Sequence, residues 1–145
     1  MLLKIEAMRR QHDEAEKIAA EIMGFMGSYR DEYDAIPIAR LLGKLNALLR
    51  VHCAYEDSVL YPAMMTSGDG EAAALARRFD EEMGTLAMQF EEFVRRWSGP
   101  TVIAAMFERF CEEATALFGT LTARIEREND QLFPLAERIS VERAA

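Results

Sequence analysis

The sequence predicts an all-α protein that folds as an up-down-up-down antiparallel four-helix bundle, in a single domain covering residues 1–145. Residue types that favour helices, such as Ala, Leu, Glu, Met and Arg, are abundant, whereas Val and Thr are sparse. Apolar residues recur every three or four positions through four long segments. Short stretches rich in Gly, Pro, Ser and Asp separate these segments, and none has the alternating pattern of a strand.

Each of the four segments has an apolar stripe, and the first three end at residues that stop a helix. The predicted helices run from about residue 2 to 27, about 34 to 66, about 71 to 97 and about 101 to 139. Asp34 is a suitable N-cap for the second helix. Pro134 should kink the fourth helix or end its regular part, because proline lacks an amide proton. The residues of this helix expected to face inward are Ile103, Met106, Phe110, Leu117, Leu121 and Leu135.

Charge and composition limit the partners that we expect. The net charge is −8 and no basic block is present, which argues against nucleic acid as the main partner. No apolar run is long enough to cross a membrane, and charges interrupt the N-terminal segment at once, so we expect neither a membrane partner nor a signal peptide. Cys53 and Cys111 are distant thiols with apolar neighbours, which is typical of buried cysteines in a reducing cytoplasm. A cytoplasmic location is therefore expected.

A repeat links the second and fourth predicted helices. The second reads HCAYEDSVLYP from His52 to Pro62, and the fourth reads RIERENDQLFP from Arg124 to Pro134. Both have Glu at the fifth position and Leu, an aromatic residue and Pro at the ninth to eleventh positions. Chance would rarely keep all four residues together, so the two halves of the bundle are expected to be copies of one helix pair.

Polar residues interrupt the apolar stripes where they should face the core: His12, His52, Glu56, Arg124 and Glu128. A His-x-x-x-Glu pair places an imidazole and a carboxylate one turn apart on one helix face, within reach of one ion. Burying the two glutamates unpaired would cost several kcal/mol each, so something cationic must balance them. The candidates are a metal ion, Arg124 or a proton.

At these residues the chain resembles the hemerythrin-like (HHE cation-binding) family over nearly its whole length. Members of that family hold two irons in the core of a four-helix bundle, and they bind or sense oxygen, respond to redox state, handle nitric oxide or repair iron–sulfur centres. The resemblance implies that His12, His52, Glu56 and Glu128 are metal ligands.

Two family ligand positions are replaced: Met83 stands where the family usually has a histidine, and Arg124 replaces the histidine of the fourth helix. A thioether is a poor ligand for such iron, and guanidinium offers no lone pair. Three outcomes follow. The site holds no metal and is an Arg–Glu–His network; or it holds one metal, on His12 or His52 with the two core glutamates and Glu82 or Glu81; or surrogate acids complete a diiron site.

The sequence is therefore compatible with two functions. The first is a metal-binding or small-ligand-binding protein that senses or binds oxygen, nitric oxide, redox state or iron, with non-haem iron or another divalent metal at reduced stoichiometry. The second is a metal-free regulatory or protein-interaction module that kept only the fold, with a protein as its partner. No Ser-His-Asp pattern or phosphate loop is present, so an enzyme is not expected.

Overall fold

The computed structural model describes the backbone of residues 2–144 and the side chains of residues 2–140. Its regular elements are α1 (Ile5–Gly27), a 3-10 turn (Glu32–Asp34), α2 (Ala35–Tyr55), a first π turn (Glu56–Leu60), α3 (Tyr61–Met65), α4 (Gly70–Arg96), α5 (Pro100–Ala105), α6 (Phe107–Arg127), a second π turn (Glu128–Leu132) and α7 (Phe133–Ala144). Among the described residues there is no strand, and the predicted helical bundle is confirmed.

Contacts between the ends of the helices show the direction of each one. Lys44 of α2 pairs with Glu14 of α1 at 3.5 Å, and the amide of Lys4, just before α1, donates to the Tyr55 hydroxyl at the end of α2. In the same way Arg96 near the end of α4 pairs with a glutamate early in α6. Neighbours in the chain therefore run antiparallel, as expected for an up-down-up-down bundle.

The two copies of the repeat fold into the same irregular element, a single π turn inside a continuous helix. The Tyr61 amide donates to the carbonyl of Glu56, and the Phe133 amide donates to the carbonyl of Glu128, each five residues back. The regular α-helical part of the fourth helix thus ends before Pro134, as predicted, but the helix resumes and continues to Ala144. The π turn shifts the hydrogen-bond register just before the proline, which has no amide proton to place.

The fourth helix is also broken earlier, which the sequence did not predict. Met106 has φ −132° and ψ 44°, outside the helical range, and it separates α5 from α6. The expectation that Met106 faces inward is wrong, because its side chain is 47% exposed. Ile103 and Phe110 on either side of the break are both buried, so α5 and α6 both contribute to the core.

A layer of polar side chains separates two apolar clusters inside the bundle. One cluster includes Ile22, Leu45 and Phe110, and the other includes Leu60 and Phe133. The polar layer consists of buried side chains from three of the helices: His12, His52, Glu56, Arg124 and Glu128. No helix among the described residues combines the length and the apolar character that crossing a membrane requires.

Candidate metal centre

Three side chains from three different helices converge at the middle of the polar layer. His12 comes from α1, His52 from the last turn of α2, and Glu128 from the start of the second π turn. The two Nε2 atoms lie 3.0 Å apart, and Glu128 Oε1 lies 2.9 Å from His12 Nε2 and 3.2 Å from His52 Nε2. All three side chains are buried. Among the described residues they form the one compact group of metal-ligating atoms.

Glu56 lies beside this group rather than within it. Its Oε1 is 3.5 Å from His52 Nε2, and its Oε2 accepts a hydrogen bond of 3.2 Å from the Tyr61 hydroxyl. The side chain is fully buried, and Oε1 has no hydrogen-bond partner within the part of the chain that is described. Burial, and then the negative charge of Glu128, raise the pKa of Glu56 well above its usual value. Glu56 is thus a carboxyl group with one oxygen available to an ion.

Glu128 is in the opposite electrostatic state, although both glutamates are buried. Burial acts to raise its pKa, but the contacts with His12 and His52 outweigh this and hold the pKa well below its usual range. Its second oxygen, Oε2, accepts a hydrogen bond of 2.9 Å from Nε of Arg124. Glu128 is therefore a carboxylate, with one oxygen facing the histidines and the other paired with a cation.

The two terminal nitrogens of the Arg124 guanidinium donate hydrogen bonds to groups other than Glu128. Its Nη2 donates to the Phe79 carbonyl at 2.7 Å and to the Tyr61 hydroxyl at 3.1 Å, and its Nη1 donates to Glu82 at 3.3 Å. The group also lies over the Phe79 ring, 4.4 Å from its centroid. Burial would lower the pKa of Arg124, but Glu128 raises it, so the charge is retained. Arg124 is a fixed cation, built into the bundle.

Of the remaining predicted site residues, Glu82 and Glu81 are not brought to the cluster. Glu82 is at the surface, where its carboxylate pairs with Arg124 and also with Arg127. Glu81 is exposed. Met83, one residue further on, is buried, but it contributes no atom to the group of three ligating side chains.

Met83 instead lines a cavity of about 260 Å³ between α2 and α4. Apolar side chains such as Leu49, Leu86 and Leu121 form much of its wall, and Cys53 also lines it. Burial raises the pKa of Cys53, so its thiol stays protonated at neutral pH. Leu49 and Leu121 precede His52 and Arg124 by three residues on the same helices, which places the cavity one turn from the polar layer.

Sequence reasoning missed two side chains that hold the imidazoles. Asn129 Oδ1 lies 2.8 Å from His12 Nδ1, and Gln11 Oε1 lies 2.8 Å from His52 Nδ1. The available signal was their position, because Gln11 precedes His12 and Asn129 follows Glu128 in the chain. Neither interrupts an apolar stripe, so neither was conspicuous.

The donor atoms present fit one divalent ion. Ligands placed about 2.1 Å from an ion and at right angles to one another are about 3.0 Å apart. The three separations among His12, His52 and Glu128 are 3.0, 2.9 and 3.2 Å, which match one face of an octahedron. Two imidazoles with one carboxylate are a donor set typical of non-haem iron(II). A second ion has no such set among the described residues, and Arg124 would repel it.

Comparison with known proteins agrees with this arrangement. The family model described as the hemerythrin HHE cation-binding domain matches residues 3–136. Neither the curated proteins nor the solved structures gave a significant match. The match covers almost the whole chain, including the three converging side chains and both π turns. Together with the helical bundle, it shows that the chain belongs to the hemerythrin HHE cation-binding domain family.

Proposed function

We propose that this domain binds a single divalent metal ion of the non-haem iron type, held by His12, His52 and Glu128 with Glu56 beside it. The observation that carries the proposal is the convergence of two Nε2 atoms and one carboxylate oxygen within 3.2 Å of one another, inside a buried layer. Nitrogen and oxygen lone pairs brought this close repel each other unless a cation or a shared proton lies among them. A divalent ion satisfies all three at once.

The positive charge of Arg124 favours the binding of one ion rather than two. Two unit charges about 4 Å apart interact by about 4 kcal/mol at an effective dielectric of 20, and a dication facing Arg124 would be repelled by about twice that. The guanidinium also occupies Glu128 Oε2, so this oxygen is not free to hold a second ion. Arg124 thus supplies permanently the positive charge that a second ion would supply.

The proposed role is to bind or sense oxygen, nitric oxide, redox state or iron, rather than to catalyse a reaction on a polar substrate. A non-haem iron ion held here would supply one-electron redox chemistry and open positions for a small ligand. The wall of the neighbouring cavity near the site is apolar, at Leu49, Met83 and Leu121. Such a wall suits a small uncharged ligand, and the charged residues that line the rest of the cavity, Arg50, Asp57 and Glu91, are exposed.

Metal analysis of the purified protein, loaded anaerobically with iron(II) and separately with cobalt(II), tests the proposal. We expect one ion per chain for each metal. His12→Ala and His52→Ala should each weaken binding at least 100-fold, because each removes a direct ligand. The matched control is Asp13→Ala, which removes an exposed carboxylate next to His12 and should leave affinity unchanged. Circular dichroism of each variant confirms that it remains folded.

A second candidate function, a metal-free regulatory or protein-interaction module, is favoured by one observation. The charge of Glu128 is already balanced by Arg124, and a protonated Glu56 needs no counter-ion. The same metal analysis separates the two candidates. Binding of less than about one-tenth of an ion per chain would overturn the proposed metal site and favour the metal-free module instead. Two ions per chain would overturn the exclusion of a second ion by Arg124.

A further inference from the structure

We infer that Gln11 and Asn129 are the positioning residues of this site, each holding one imidazole by its Nδ1 so that Nε2 faces the ion. This inference rests on the proposed function and adds to it the residues that control how tightly the site binds. Both residues have side-chain amide groups, and neither is itself a metal ligand. Each acts on a ligand from a different helix than its own.

The first contact joins α1 to α2. Gln11 Oε1 lies 2.8 Å from His52 Nδ1, on the ring edge opposite to the Nε2 that faces Glu128. Gln11 is the neighbour of His12 in the chain, but consecutive residues of a helix point about 100° apart, so it reaches across to His52 instead. Gln11 is half-buried, beside the polar layer.

The second contact joins the second π turn to α1. Asn129 Oδ1 lies 2.8 Å from His12 Nδ1. The backbone around Asn129 is itself held, because its carbonyl accepts a hydrogen bond of 3.2 Å from Arg9, which also pairs with Glu137. The ring of His12 is further fixed by stacking on Phe133, with centroids 5.0 Å apart. The His12 ring is thus fixed by stacking on one face and by a hydrogen bond at Nδ1.

The chemistry of the amide oxygen explains why these contacts favour metal binding. An amide oxygen accepts and cannot donate, so it is satisfied only by a ring that carries its proton on Nδ1. A neutral imidazole with its proton on Nδ1 presents a free lone pair on Nε2, the form that a metal requires. Such partners on the outer nitrogen typically change metal affinity by 10–100-fold. Gln11 and Asn129 therefore set both the direction and the tautomer of the two imidazoles.

The test uses the whole chain loaded with zinc(II), a diamagnetic ion suited to nuclear magnetic resonance. Gln11→Leu and Asn129→Leu should each weaken zinc binding by about 10–100-fold. Gln11→Glu should bind at least as tightly as the unmodified protein, because a carboxylate also accepts from Nδ1. The matched control is Gln89→Leu, the same change at an exposed position on α4, with no effect expected. A purely structural role would make Glu at position 11 as harmful as Leu.

The site-specific readout is the exchange of the Nδ1 proton of each histidine with solvent. Gln11→Leu should speed exchange at His52 and leave His12 unchanged, although Gln11 adjoins His12 in the chain. Asn129→Leu should do the reverse. If the unmodified protein binds one zinc but both variants bind like Gln89→Leu, or if the wrong histidine responds, the inference alone is overturned. If the unmodified protein binds no zinc, iron or cobalt, the proposed function falls and the inference falls with it.

Discussion

The two π turns have the same sequence pattern and the same backbone, yet their glutamates are in opposite states. Glu56 has an oxygen without a partner within the described residues, and its pKa is raised. Glu128 has both oxygens engaged, and its pKa is lowered. His12 and His52 both contact Glu128, and these contacts lower its pKa. The residue four positions earlier also differs, being a histidine before Glu56 and an arginine before Glu128. The same backbone turn can therefore hold a carboxyl group in two different electrostatic environments.

This asymmetry shows that the two halves of the polar layer can differ in charge balance within one helical fold. The arginine copy is balanced by its own cation, whereas the histidine copy keeps a carboxyl that only a proton or an ion can satisfy. The charge is thus already balanced in the part of the polar layer around Arg124, whereas the part around His12 and His52 can still accept a cation. The following substitutions test this difference between the two π turns.

The largest effect is expected from Glu128→Gln. This change leaves the buried Arg124 without its anionic partner inside the bundle, which should reduce the free energy of unfolding by roughly 3–5 kcal/mol. Chemical denaturation of the metal-free protein measures it. Glu126→Gln is the matched control, because Glu126 is exposed on the same helix, and it should change stability by less than about 0.5 kcal/mol. Equal effects of the two changes would show that Glu128 is not paired as described.

A somewhat smaller effect is expected from Arg124→His, which gives both copies of the repeat a histidine four residues before the glutamate. Loss of the fixed cation and its four hydrogen-bond partners should destabilise the metal-free protein by about 3 kcal/mol. The chain should still bind one ion, because Met83 offers no suitable donor. Adding Met83→His should raise the metal content towards two ions per chain.

Arg127→His is the control for that experiment, since Arg127 also pairs with Glu82 but lies at the surface. It should leave both the metal content and the stability nearly unchanged. A metal content of one in the double variant would indicate that geometry, and not the charge of Arg124, limits the site.

An effect of opposite sign is expected from Glu56→Gln. The folded protein holds the Glu56 proton more tightly than the unfolded chain does, so this group lowers stability as pH rises from about 4.3 towards its raised pKa. Replacement by Gln removes this dependence of stability on pH. The metal-free variant should therefore be more stable than the unmodified protein at neutral pH, by about 1.4 kcal/mol for each pH unit between 4.3 and the raised pKa that the working pH has passed.

Denaturation curves between pH 5 and about 8 measure this difference, which should widen as pH rises and vanish near pH 4. The same variant should bind metal more weakly, because the carboxylate beside the ion is gone. If the difference instead narrows with rising pH, Glu56 is ionised in the folded protein and the contrast between the two turns is wrong.

Much of the fold could be predicted from local patterns. The apolar spacing and the bounding Gly and Pro residues predicted the four helical segments, because helix amphipathicity depends on residues only three or four apart. The break at Met106 was missed, since it lies inside an unbroken apolar stripe and contains no helix-breaking residue. Pro134 was a correct signal of irregularity, but the continuation of the helix beyond it depended on a π turn that spacing does not reveal.

The amino-acid sequence by itself determined which polar groups enter the core and that a cation must accompany them. His12, His52, Glu56, Arg124 and Glu128 occupy apolar stripes, and burial of their charges has a cost that any fold must offset. Only the tertiary structure decided the pairing. Arg124 takes Glu128 rather than Glu56, and the amides of Gln11 and Asn129 reach histidines on other helices. The contacts of Gln11 and Asn129 depend on distances between helices, which no residue spacing within one helix contains, whereas Arg124 and Glu128 are four residues apart on one helix, a spacing that allows their pairing by itself.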